Sequence, residues 1–151
     1  MVVFKINTII NAPVDVVVKA LGNPENHTYW TTDLERFESV KGGPEEVGSV
    51  ALLHFVQKGR QYTMEDKLIY CDPGEKYISQ VTGDTILAEV ETILSPLDNN
   101  TEVNLKWSGR GKTCLLKVLL PLFRRKVKEL AKRDLEKFRV LVEERGSSFK
   151  I

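Results

Sequence analysis

Turn signals divide residues 34–110 into strand-length pieces: Lys58-Gly59, Asp72-Pro73-Gly74-Glu75, Gly83-Asp84 and the group Asp98 to Thr101. Gly, Asn, Asp and Pro tolerate or impose turn dihedrals, and the pieces between them are rich in alternating apolar residues. Side chains on a strand point alternately to opposite faces, so the length of each turn fixes which residues share a face. A two-residue turn at Lys58-Gly59 pairs Phe55 with Tyr62, Leu53 with Met64 and Ala51 with Asp66. A four-residue loop from Asp72 to Glu75 sets Tyr70 by Tyr77, Leu68 by Ser79 and Asp66 by Val81. A turn at Gly83-Asp84 places Val81 by Ile86, Ser79 by Ala88 and Tyr77 by Val90. A loop from Asp98 to Thr101 puts Leu94 by Leu105, Thr92 by Trp107 and Val90 by Gly109.

All four hairpins select the same face, and its members are mostly apolar or aromatic. Gln61, Thr63, Glu65, Lys67, Gln80, Glu89, Glu91, Glu102, Asn104, Lys106 and Arg110 take the other. Of the adjacent acids in "YTMEDKLIYCDPGEKY", Glu65 is thus assigned to solvent and Asp66 to the interior. His54 goes outward, opposite Thr63.

The flanks complete the order. "FKINTIINAP" alternates Phe4, Ile6, Thr8 and Ile10 against Lys5 and Asn7 and ends at Pro13, a first strand. Pro13 and Gly22 bound a short helix, and Asn23-Pro24 opens another. From about Leu115 to Glu144 the pattern is one long helix. Its apolar arc holds Leu116, Leu120, Phe123, Val127, Leu130, Ala131, Phe138, Leu141 and Val142. Pro121 should kink it or mark where its regular part begins. Asp134 falls near the middle of the apolar arc.

At 151 residues the chain has the length of one domain, residues 1–151, and its net charge of +1 gives no global reason to expect nucleic acid as a partner. No apolar run is long enough for a membrane span, and the N-terminus carries no signal-peptide pattern. With two cysteines far apart and only His27 and His54, neither a disulfide framework nor a zinc site of usual spacing is expected. These features suggest a cytoplasmic protein without metal or cofactor.

In sequence order, "IINAPVDVVVKALGNPENHTYW", "EEVGSVALLHF" and "YTMEDKLIYCDPGEKY" resemble the START-like (SRPBCC) superfamily, closest to its polyketide cyclase/dehydrase and lipid-transport branch. The likeness covers nearly the whole chain. It implies an α+β helix-grip fold: a curved antiparallel sheet around a long C-terminal helix, with two short helices after strand 1. It further implies an apolar cavity and binding of lipids, polyketides, sterols or hormones, with cyclisation in some members. The superfamily has no shared catalytic triad, so no catalytic residue is implied.

Other motifs carry less. "SGRGKT" has Lys106 where a phosphate loop needs its first glycine, and a nucleophile elbow is absent. The basic run "RRKVKELAKR" suits the wet face of a helix. Membrane docking there would need exposed apolar residues beside it, which "LLKVLLPLF" supplies in sequence. Inside, tyrosines and acids are unusual filler, because each buried polar atom needs a partner. Candidate ligand-binding residues are therefore Phe55, Tyr62, Met64, Asp66, Tyr77, Ser79, Val90 and Trp107 from the sheet, with Phe123, Val127, Asp134 and Phe138 from the helix.

A cavity of several hundred cubic ångströms is expected between the sheet and residues 123–142, its mouth near His27 to Trp30. Asp66 and Asp134 should bound its polar end, with tyrosine hydroxyls or Arg60 as donors. Asp66 itself reads as a cavity-facing polar group, a structural partner or an acid/base. A carrier of a small hydrophobic molecule is the leading function. A cyclase or dehydratase should show an inward acid within reach of a Tyr or His, and a co-chaperone-like interaction domain should have a filled interior. Oligomeric state is left open.

Overall fold

The computed structural model describes residues 1–146. Strand β1 (Val2–Ile10) leads into helix α1 (Val14–Gly22) and a 3₁₀ turn (Pro24–Tyr29). Six strands follow: β2 (Leu34–Lys41), β3 (Val50–Gln57), β4 (Arg60–Asp72), β5 (Lys76–Thr82), β6 (Ile86–Leu97) and β7 (Asn100–Gly111). Helix α2 (Cys114–Leu119), a 3₁₀ turn (Leu120–Phe123) and helix α3 (Arg124–Arg145) complete the described chain. The strands form one antiparallel sheet in the order β1-β7-β6-β5-β4-β3-β2, left open because β1 and β2 are both edges.

The β3–β4 register is the one expected, with Phe55 opposite Tyr62, Leu53 opposite Met64 and Ala51 opposite Asp66. Both Lys58 and Gly59 have positive φ (52° and 78°), the backbone of the two-residue hairpin that continues the strand twist. Two hairpins differ from the expected pairing by two residues. Val81 faces Ala88 and Ser79 faces Val90, because the β5–β6 connection is longer than Gly83-Asp84 alone. Thr92 faces Leu105 and Val90 faces Trp107, because the β6–β7 turn needs only Asp98 and Asn99. A slip of two preserves the face, which is why the inward and outward assignments survive it.

An irregularity at Ile69 shifts the register between Leu68 and Tyr70, so Tyr77 pairs with Cys71 and not with Tyr70. The added residue turns Tyr70 out of the interior. It is 45% exposed, with the Lys76 ammonium 5.5 Å from its ring centroid.

Covering this sheet is a problem of width. Seven strands have six spacings, about 29 Å at ~4.8 Å each, whereas a helix with its side chains is about 10–12 Å across. Helix α3 packs against β1 at one edge of the sheet. The core accordingly lies there: Phe4, Ile6 and Ile10 of β1, Leu94 and Val103 of β6 and β7, Val17 of α1, and Leu135, Phe138 and Val142 of α3.

The helical phase differs from a continuous wheel. Leu135 is buried, while Phe123 and Leu130 are 48% and 43% exposed. The 3₁₀ turn around Pro121 supplies the reason. Four residues at 3.0 per turn advance roughly 80° further than at 3.6 per turn, which rotates α3 relative to α2.

This phase has a direct test. Phe138→Ala should destabilise the fold by about 3–5 kcal/mol in urea unfolding, as for a buried aromatic, and Phe123→Ala by under about 1 kcal/mol. Equal losses would contradict the described rotation.

Candidate functional site

The half of the sheet that α3 does not cover faces a pocket of about 570 Å³. Its floor is the inner face of β3 to β7, including Ala51, Leu68, Val81, Val90 and Leu105. Its roof comes from α1 (Val18, Leu21), from His27 and Trp30 around the 3₁₀ turn, and from Phe37 of β2. The loop Gly42–Glu45 closes one side. Gly22 at the end of α1 leaves the chain close to that loop: a Cβ there would stand 3.7 Å from Pro44. No residue of α3 lines the pocket, which corrects the expected position between the sheet and residues 123–142.

Among the polar groups that break the apolar lining, Asp66, His27 and Tyr77 have defined partners. Asp66 sits on the floor, and burial raises its carboxyl pKa above the ordinary value; the Ser79 hydroxyl opposes this by hydrogen bonding to it. His27 is held in the roof, its ring stacked on Phe37 at 4.5 Å and tilted against Trp30 at 5.1 Å. Its Nε2 is 3.0 Å from the Leu21 carbonyl oxygen, which makes that nitrogen the donor. Burial lowers the His27 pKa, so the neutral ring with Nδ1 as acceptor is favoured.

The third group is Tyr77, whose hydroxyl donates to Glu45 Oε2 at 2.7 Å and accepts from the Gly74 N–H at 2.8 Å. Burial, then the hydrogen bond to Glu45, push its pKa far up, so the phenol stays protonated. Tyr77 thereby fastens the β2–β3 loop to the β4–β5 loop beside the pocket. Glu45 reaches it from a backbone with φ of 63°, a conformation uncommon for a residue other than glycine.

Of the candidates from the sequence, Asp66, Tyr77, Ser79 and Val90 are brought together on this pocket. The others lie elsewhere. Phe55 and Tyr62 stack on each other at 4.9 Å toward the β3–β4 turn, and Tyr62 is 41% exposed. Met64 lies beside Gly83, whose added Cβ would stand 3.3 Å from its Cε. Trp107 belongs to the core: its ring stacks on Phe4 at 5.2 Å and folds over Gly109, where no Cβ would fit. Phe138 meets the edge of Trp30 at 4.7 Å from the core side, so Trp30 divides core from pocket. Val127 packs against the core, and Phe123 is half exposed.

Asp134 and Arg60 also stand apart from the pocket's lining. Asp134 accepts from the Thr32 hydroxyl at 2.6 Å and the Thr32 N–H at 3.2 Å, tying α3 to the segment before β2. Burial raises its pKa and the Thr32 bonds oppose the rise. Arg60 is exposed at the β3–β4 turn. On the outer face, His54 lies opposite Thr63 as expected, but it is partnered rather than simply solvated, with Nε2 2.8 Å from Glu38.

His27 and Trp30 line the pocket where its mouth was expected, but sequence reasoning missed Val18, Leu21 and Phe37 of the roof and part of the floor. Leu68, Val81, Thr92 and Leu105 carried a usable signal, since they share the Asp66 face. The loop Gly42–Glu45 carried none beyond its turn composition. Among the described residues, no three His, Cys, Asp or Glu side chains gather as metal ligands, and no helix is long and apolar enough to cross a membrane.

No protein-family model matches the chain, and no curated protein matches it. Solved structures do. The chain is similar to the Zhui aromatase/cyclase from Streptomyces sp. R1128, with 16% identity, a TM-score of 0.78, and coverage of 99% of this chain and 98% of that one. It is similar to Ara h 8.0201, with 15% identity, a TM-score of 0.74, and coverage of 94% and 97%. It is also similar to a START superfamily protein from Mycobacterium smegmatis, with 15% identity, a TM-score of 0.71, and coverage of 99% and 100%. At such identities the likeness establishes the fold alone: this chain has a helix-grip fold.

Proposed function

We infer that the chain binds a small, largely apolar molecule in the pocket between the sheet and the α1 side of the molecule. The observation that carries this reading is the pocket itself. Its volume of about 570 Å³ is within the range of small-molecule sites, and its apolar walls enclose a few fixed polar groups. Asp66 and Ser79 would anchor a polar end of the ligand, with the Nδ1 atom of His27 as a second acceptor. A filled interior, the mark of a pure interaction domain, is not what these residues build.

The cost of Asp66 supports the same reading. The folded state binds the Asp66 proton more tightly than the unfolded chain does, because the buried carboxyl has a raised pKa. Its contribution to stability therefore falls as pH rises from the ordinary value of 3.8 through the raised one. A group retained at a cost to stability is characteristic of a binding or catalytic site.

A second reading, cyclase-type chemistry, draws on two observations: the similarity to an aromatase/cyclase and the Glu45–Tyr77 pair at 2.7 Å. An acid and a phenol within hydrogen-bond reach can move protons during an enol-forming step, although Glu45 is exposed on the β2–β3 loop and is not the inward acid expected of a cyclase. Asp66, in contrast, hydrogen-bonds to Ser79.

Three variants test the reading. A fluorescent fatty acid or naphthalene-sulfonate probe should bind, and Val90→Trp should abolish binding while leaving the far-ultraviolet circular dichroism unchanged. Normal probe binding by a folded Val90→Trp protein would sink the proposal. Asp66→Asn should change ligand affinity by about 1.5–3 kcal/mol, the range for hydrogen bonds to a charged group. The same variant should be more stable than the parent at pH 7, with the gain disappearing as pH falls below the ordinary carboxylate pKa; a loss of stability at pH 7 would mean the carboxylate is paired. Tyr77→Phe separates the two functions. Binding alone predicts altered ligand exchange, whereas a loss of polyketide turnover by orders of magnitude at unchanged affinity would make Tyr77 catalytic.

A further inference from the structure

We propose that the α2 face is a docking surface for an anionic membrane. Helix α2 is placed by Gly111, where any Cβ would collide with Leu116 at 2.4–2.5 Å, so the helix rides tightly on the end of β7. That placement buries Leu120 and partly covers Leu116 and Leu119. It leaves Leu115, Val118 and Leu122 on the outside, 68%, 70% and 75% exposed. Leu115 and Val118 of α2 and Leu122 of the following 3₁₀ turn are thus a run of exposed apolar side chains, and Phe123 extends it at 48% exposure.

The charge around the stripe identifies what would cover it. Residues 112–128 contain Lys112, Lys117, Arg124, Arg125, Lys126 and Lys128 and no acid at all. Lys112 and Arg124 hold the segment in place through the carbonyls of Gly83 and Val3, and Arg125 reaches Glu129. Lys117 and Lys126 are exposed and stand close to the apolar residues in sequence. A cleft of about 210 Å³ lies on the side of α2 that faces β7, with Arg110, Lys117 and Leu120 among its lining residues and none of the stripe.

Exposed leucines in a stretch rich in lysine and arginine and free of acids are the chemistry of interfacial membrane binding, in which apolar side chains enter the acyl boundary while cations meet anionic lipid. A second copy of this chain would bring the same cations against each other, so self-association through this face is disfavoured by charge. The surface is distinct from the ligand pocket: none of these residues lines it.

The test is flotation of the full chain with vesicles of phosphatidylcholine, with and without about 30 mol% phosphatidylserine. Binding is expected only to the anionic vesicles, and about 0.5 M salt should weaken it by screening. Leu115→Ser/Val118→Ser/Leu122→Ser should reduce partitioning at least ~10-fold. Lys117→Glu/Lys126→Glu, which leaves the apolar stripe intact, should do the same while remaining folded by circular dichroism. Failure to float with anionic vesicles overturns the proposal, as does full retention of binding by either variant. A dimer that dissociates in the serine variant, with vesicles ignored, would assign the face to a second copy and overturn it equally.

Discussion

The structure depends on a mismatch of widths. The hairpins give the sheet one continuous apolar face, and seven strands make that face about 29 Å wide. A single helix covers about a third of that span by diameter. Because α3 settles on β1 at one edge, the side chains beneath it close into a core built on Phe4, Ile10, Val103, Phe138 and Val142. The apolar residues of the middle strands are then left for α1, the 3₁₀ turn and the β2–β3 loop to cover. Those elements bridge the gap without filling it, and the remaining space is the pocket. Trp30 stands at the boundary, with Phe138 on one side and the pocket on the other.

Polar groups in the two regions are treated differently. In the core, Thr101 is fully buried and donates to the Ala12 carbonyl at 2.8 Å, a satisfied structural bond. Asp134 is likewise anchored by Thr32. Around the pocket, Asp66 has a raised pKa and only a hydroxyl to oppose the cost of burial, while His27 keeps Nδ1 as an acceptor. A dry, purely structural interior has little use for such groups, whereas a site that receives a ligand does.

The fold was legible in the sequence because turn lengths constrain faces more tightly than they constrain partners. Two hairpins were displaced by two residues, and Val81, Val90 and Trp107 still point inward, since the strand repeat is two. One extra residue at Ile69 was enough to turn Tyr70 outward, for the same reason. The helix was harder. Its phase depends on the 3₁₀ turn at Pro121, which rotated Leu135 inward and Phe123 and Leu130 outward. The site was only partly legible: the sheet side follows from alternation and His27 to Trp30 were expected at the mouth, but the rest of the roof depends on where α1 and the loop Gly42–Glu45 fold back, which strand alternation does not fix. Asp66 and Asp134 both reach inward faces, yet the choice of edge by α3 separates them.

The central claim is that the uncovered part of the sheet, and not the α3 contact, receives the ligand. Methyl-labelled nuclear magnetic resonance during titration with an apolar probe tests it most directly. The account predicts shifts concentrated at Ala51, Leu68, Val81, Val90 and Leu105, with Val103 and Val142 unmoved. Shifts centred on Val127, Ala131 and Val142, with the β3 to β5 methyls silent, would contradict it.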